Sequence, residues 1–94
     1  MPELAIVITP DAVENIDDIY AYIAQDSPEN ARRVKERILA AARSLSFLPE
    51  RGRPGELEDT RELLVRRLPY TIVYTVIGET VYILGVYHQR RGRR

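Results

Sequence analysis

Cysteine is absent from the 94-residue chain, which removes disulfides, thiolate catalysis and every cysteine-based metal site at once. Its absence accords with a reducing compartment. There is one histidine, His88, so no second imidazole is available to help hold a metal, and any histidine-based proton transfer rests on this residue. Long apolar runs are also lacking. The opening segment MPELAIVIT has no basic stretch and one short apolar run, Leu4 to Ile8, too short for a secretory leader or a membrane span. The expectation is a cytoplasmic protein with no membrane attachment. Net charge has no sign: 14 basic residues face 14 acidic ones, which argues against indiscriminate nucleic-acid binding. Lys35 is the one lysine. Arginine therefore supplies nearly all of the positive charge, and its planar fork suits phosphate or carboxylate partners.

What is present is the composition of an ordinary globular protein, 45% apolar and 30% charged, with length for one domain spanning 1–94 and a single core. Charge is placed unevenly. Asp11, Glu14, Asp17, Asp18 and Asp26 crowd the first third; Arg51, Arg53, Arg61, Arg66, Arg67, Arg90, Arg91, Arg93 and Arg94 fill the second half.

Leu4 to Ile8 reads as a strand buried on both faces. Thr9-Pro10 then carries a helix-start signal, cap followed by proline, with Asp11 and Glu14 suited to the helix dipole. Val13, Ile16, Tyr20 and Ile23 recur at helical spacing and predict an amphipathic helix from about Pro10 to Gln25. Ser27-Pro28-Glu29 repeats the start signal so soon afterwards that the two helices must form an antiparallel hairpin. The second has a stripe of Ala31, Val34, Ile38, Ala41, Leu45 and Leu48, a Glu29–Arg33 pair one turn apart, and a stop at Pro49. Residues 49–59, PERGRPGELED, read as a loop. GRPGE within it lacks the glycine spacing and lysine of a phosphate-binding loop, and no cofactor is expected.

Three runs rich in Val, Ile, Leu, Tyr and Thr follow: Arg61 to Leu68, Tyr70 to Ile77 and Thr80 to Tyr87. They predict a meander of antiparallel strands whose last turn, Gly78-Glu79, fits a type II′ hairpin. On the third run Val81, Ile83 and Tyr87 would face one side and Tyr82, Leu84 and Val86 the other. The expected architecture is α+β, β-α-α-β-β-β, a helical hairpin packed on one face of a mostly antiparallel sheet. The second face is partly apolar and either meets a partner or is covered by loop and tail residues.

This order of elements, together with GRPGELEDTRELLVRRLPYTIVYTV and VYILGVYHQRR, resembles the RelE/ParE superfamily of toxins of type II toxin-antitoxin systems over essentially the whole chain. The marks are Arg61-Glu62-Leu63 entering the meander, the Pro69-Tyr70 corner, and the His88 to Arg91 run. The resemblance implies a toxin neutralised by a co-encoded antitoxin in a hetero-oligomer, the antitoxin wrapping it as helix and added strand. It is closer to the ParE type, whose implied target is DNA gyrase. The alternative is a RelE-like ribosome-dependent mRNA endoribonuclease acting with the ribosome and mRNA. RelE-type chains continue into a helix bearing a tyrosine, which is not seen after Arg91 here, and the tyrosine-histidine order at Tyr87-His88 is the reverse of a related ribonuclease pattern.

Cleavage of RNA needs a base for the 2′-hydroxyl, an acid for the leaving oxygen and cations for the phosphorane charge. The residues available for it are His88, Tyr87, Arg61, Arg67 and Arg90. The residues expected to bind target or antitoxin are Arg61, Arg67, His88, Arg90, Arg91, Arg93 and Arg94. For His88 the competing reading is a hydrogen-bonding residue at a strand end, for the terminal arginines a solvated tail, and for Arg61 and Arg67 an edge kept soluble by charge. Tyr20, Tyr22, Tyr70, Tyr74 and Tyr82 read as core or boundary aromatics.

Overall fold

The computed structural model describes residues 3–90. The chain runs β1 (Ala5–Ile8), α1 (Pro10–Ala24), α2 (Pro28–Ser44), β2 (Arg53–Pro54), β3 (Arg61–Leu64), β4 (Tyr70–Ile77) and β5 (Thr80–His88). The five strands form one sheet in the order β1-β5-β4-β3-β2. Every pairing is antiparallel except that of β1 with β5. The helical hairpin covers one face.

Both helix starts are built as their sequences require. Thr9 Oγ1 accepts the Ala12 N–H at 3.3 Å and donates to the Ile83 carbonyl at 2.7 Å, so the cap of α1 is also a bolt onto β5. Ser27 Oγ accepts the Asn30 N–H at 3.1 Å and starts α2. The expected Glu29–Arg33 pair forms at 3.8 Å between exposed side chains, where such a contact stabilises by no more than a few tenths of a kcal/mol.

The buried stripe of α1 is Ala12 and Ile16, continued by Ile19 and Ile23, rather than the one through Val13 and Tyr20. Ala12 is fully buried and Val13 is 43% exposed, because the smallest side chain marks where the helix comes closest to its neighbours. On α2 the stripe passes through Ala42 rather than Ala41. Two successive steps of four keep the rows in line with a 3.6-residue turn better than strict three-four alternation does. The helix stops at Ser44, before Pro49; Leu48 therefore leaves the helical period and is exposed.

Ile38 and Leu45 from α2 meet Ile72, Tyr74, Val81, Ile83 and Val86 from the sheet. Each such aliphatic side chain stabilises by roughly 1.5–3 kcal/mol relative to exposure. β1 is an edge strand covered on one face only: Ile6 and Ile8 pack on the core, while Ala5 and Val7 stay exposed. Its uniformly apolar run therefore does not denote burial on both sides. The 49–59 segment contributes β2, a two-residue strand opposite Arg61 and Glu62. β3 ends at Leu64, four residues short of the expected limit, because the chain reverses over Arg66 and Arg67 with Val65 N–H bonded to the Tyr70 carbonyl. Gly78 turns the next hairpin at φ 61, in keeping with the II′ expectation.

The register of β4 with β5 slips between Val73 and Tyr74: Val73 faces Gly85, Tyr74 faces Ile83, and Leu84 is the extra residue. This β-bulge reverses the alternation of β5 halfway along. Val81 and Ile83 point to the helices, but after the bulge so does Val86, which is buried, and Tyr87 moves to the open face. The simple alternation expected for this strand holds only up to Leu84.

Candidate functional site

One end of the sheet gathers the residues singled out by the sequence. Tyr70 on β4 and His88 on β5 are directly opposite each other, and their rings meet edge to face with centroids 5.5 Å apart. His88 Nδ1 accepts the Arg90 N–H at 3.1 Å, which fixes the proton on Nε2 whenever the ring is neutral. Gln89 N–H bonds to the Pro69 carbonyl at 2.6 Å, holding the exit of β5 against the corner before β4. Arg67 sits in the turn of the β3–β4 hairpin, next to this end, in the left-handed region at φ 65.

Tyr87 lies on the other face. A Cβ at Gly85 would come within 2.6 Å of the Tyr87 ring, so the ring lies across the bare backbone of the glycine two residues earlier. Adjacent in sequence, Tyr87 and His88 are thus held on opposite sides of one strand. Arg61 is elsewhere again. It stands opposite Tyr74, four residues or about 13 Å along β4 from the Tyr70–His88 row. Its Nη1 donates to the Gly52 carbonyl at 2.7 Å and to the Glu50 carbonyl at 3.3 Å. Arg90 is exposed beside His88; Arg91, Arg93 and Arg94 lie outside the described residues.

Between α1 and this end of the sheet runs a cleft of about 520 Å³, lined by Asn15, Asp18, Tyr22, Tyr70, Tyr87 and His88 among others. Asn15 Oδ1 accepts the Val86 N–H at 3.1 Å, a donor that β1 does not reach because it pairs with β5 only as far as Ile83. Tyr22, expected as a core or boundary aromatic, is 64% exposed. The sequence reading gave none of Asn15, Asp18 and Tyr22 a place at a site, although their spacing of three and then four places them on one helix flank beside Ile16 and Ile19.

A second tethering system holds the 49–59 loop. Tyr74, fully buried, accepts the Gly52 N–H at 2.9 Å and donates to the Pro49 carbonyl at 2.8 Å. Burial, chiefly, raises its hydroxyl pKa above the ordinary 10.0, with the Gly52 bond and the Arg61 charge opposing. Glu62, 4% exposed on the open face, receives Arg53 Nη2 at 3.3 Å and the Glu56 N–H at 3.4 Å. Arg61 and Glu62 thus act on the loop from opposite faces of β3.

The family model described as ParE toxin of type II toxin-antitoxin system, parDE, matches residues 6–93. The chain belongs to this family of toxins. Y4kP of Sinorhizobium fredii is 44% identical over 77 residues, covering 82% of this chain and 79% of that protein. Toxin RelE2 of Caulobacter vibrioides is 40% identical over 86 residues, covering 92% and 96%. Among solved structures, the chromosomal ParDE system from P. aeruginosa superposes with a TM-score of 0.83 at 26% identity, covering 92% of this chain and 96% of the other. The RelBE2 toxin-antitoxin complex from Mycobacterium tuberculosis shares the fold, with a TM-score of 0.68 at 23% identity and coverage of 94% and 93%. The α+β architecture read from the sequence is that of this superfamily. Among the described residues no helix is long and apolar enough to cross a membrane.

Proposed function

We propose that this toxin acts by binding, as a ParE-like inhibitor of DNA gyrase in the cytoplasm, and that a cognate antitoxin holds it in check. The observation that carries the reading is that Tyr87 and His88, although both border one cleft, leave β5 toward opposite faces, while Arg61 stands apart from both. A phosphodiester needs its base, acid and cations around one atom, whereas here the tyrosine covers Gly85 on the open face, the histidine pairs with Tyr70 on the helix side, and Arg61 is engaged with the loop. Such a distribution suits a surface that is recognised rather than one that reacts. The His88 to Arg90 exit, with Arg91, Arg93 and Arg94 following in sequence, offers cationic contacts to an anionic partner. The antitoxin reading is supported by the family match and by the pairing of toxin with antitoxin in the ParDE system from P. aeruginosa and the RelBE2 complex.

The 40% identity to a protein named RelE2 favours a second reading, a ribosome-dependent mRNA endoribonuclease that uses His88 and the arginines. Induction without antitoxin separates the two. The gyrase reading expects filamentous cells and trapped gyrase–DNA cleavage complexes; primer extension on cellular mRNA should show no new ends. Codon-positioned cuts that vanish in His88→Ala, with gyrase behaving normally, would establish the ribonuclease instead.

A further inference from the structure

Half of the tyrosines in this chain gather in one place. Six are present, and three of them, Tyr22, Tyr70 and Tyr87, border the cleft of about 520 Å³ between α1 and the end of the sheet. Tyr70 is buried while Tyr22 stands largely in water, so aromatic surface runs from the core out to the rim. Asn15 Oδ1 ties α1 to β5 through the Val86 N–H at 3.1 Å. The two walls are thereby held together before any ligand arrives, which lowers the ordering cost of binding.

With His88 neutral, Asp18 carries the one formal charge among the residues that line this cleft. Its carboxylate joins no ion pair and accepts no hydrogen bond among the described residues. None of the arginines that fill the second half of the chain lines the cleft. The helix that carries Asp18 holds three further acids, Asp11, Glu14 and Asp17, and no base, so the potential at the mouth favours a cation. Asp18 and Tyr22 are one turn apart, which makes carboxylate and ring neighbours on the helix surface. On the opposite flank of α1 the fold already joins a tyrosine to a cation: Lys35 Nζ lies 5.6 Å from the Tyr20 ring centroid, within the range of a cation–π contact. Tyr22 has no such cation among the described residues.

We infer that this cleft receives an arginine side chain projecting from a partner protein. The guanidinium plane covers the Tyr22 ring, and two of its N–H groups reach the Asp18 carboxylate side by side. The aliphatic stem passes Ile19 and Val86, which complete the lining. A lysine ammonium would meet the carboxylate but has no plane to lay on a ring. A phosphate or a carboxylate would meet Asp18 with like charge. The inference goes beyond the gyrase reading and does not rest on it.

The test uses the purified full chain and a capped peptide with one arginine between glycines, followed by NMR titration. The expected result is saturable binding in the millimolar range, with the arginine side-chain resonances moved upfield by the tyrosine rings and with shifts at Asp18 and Tyr22. Asp18→Asn should lose roughly tenfold in affinity or more, the scale of a lost charged hydrogen bond. Tyr22→Leu should lose roughly threefold, the scale of an exposed cation–π contact. Both positions are exposed, and circular dichroism checks that the variants stay folded. A citrulline peptide, of the same shape without the charge, should bind at least about tenfold more weakly. The inference is overturned if the arginine peptide does not saturate, if the citrulline, lysine or glutamate peptide binds equally, if Asp18→Asn keeps its affinity, or if the shifts fall elsewhere on the surface. Those outcomes leave the gyrase reading standing, because trapped cleavage complexes are measured on gyrase itself.

Discussion

Tyr74 Oη on β4 and the backbone of Gly52 in the preceding loop are joined at 2.9 Å, so close that a Cβ on residue 52 would come within 2.8 Å of that hydroxyl and of the Glu62 carbonyl. The contact explains why an apparently loose run of prolines, glycines and charges is ordered. It also requires glycine at this place for reasons of space alone.

Removing the hydroxyl tests the tether. Tyr74→Phe leaves the Gly52 N–H and the Pro49 carbonyl without their partner, at an expected cost of about 1–3 kcal/mol, measured by denaturant unfolding. Arg61→Ala acts on the same segment through the Gly52 carbonyl. The double variant should therefore lose a different amount from the sum of the two, as neighbours on one network do.

The same hydroxyl makes stability depend on alkaline pH. Its pKa is raised in the folded protein, so the folded state holds the proton more tightly than the unfolded chain. That contribution is complete below about pH 10, the unfolded value, and is lost as pH rises through the higher folded value. Thermal unfolding should show a decline above pH 10 that is smaller in Tyr74→Phe.

Gly85 and Tyr87 make a comparable pair on β5. Gly85→Ala forces the Tyr87 ring off the strand, and a destabilisation of about 1–3 kcal/mol is expected. In a Tyr87→Ala background the same substitution should cost far less, and a double-mutant cycle reads the difference. Equal costs in both backgrounds would contradict the ring's placement.

Thr9 has two roles, capping α1 and bonding to Ile83. Thr9→Ala should cost about 1–2 kcal/mol, whereas Ser, which keeps the hydroxyl, should recover most of it. Chemical denaturation of both variants checks this.

Much of this architecture was legible because local signals were strong. Thr9-Pro10 and Ser27-Pro28 mark the two helix starts, and Gly78-Glu79 marks the hairpin. What escaped depended on tertiary contact. The rotation of the α1 stripe from Val13 to Ala12 reflects how near the helix approaches the core, which periodicity does not encode. The bulge at Leu84 is equally silent, since VYILGVYH reads as unbroken alternation apart from the glycine. It changes the candidate site most, because the parity of a strand decides whether Tyr87 and His88 share surroundings. The sequence reading groups Arg61 with His88 among the residues expected to bind target or antitoxin; the pairing of Arg61 with Tyr74 rather than Tyr70 separates them. The Asn15, Asp18 and Tyr22 flank needed the β5 edge to give it meaning.

The parallel joining of β1 to β5 sets a schedule for the molecule's birth. Ala5 lies opposite Thr80, 75 positions later, and Thr9 has no carbonyl to grip until Ile83 is in place. During synthesis the helical hairpin and the opening strand must wait, with Ile6 and Ile8 uncovered by any sheet, until β5 emerges. The sheet's parallel edge therefore closes late, only after its last strand has been made.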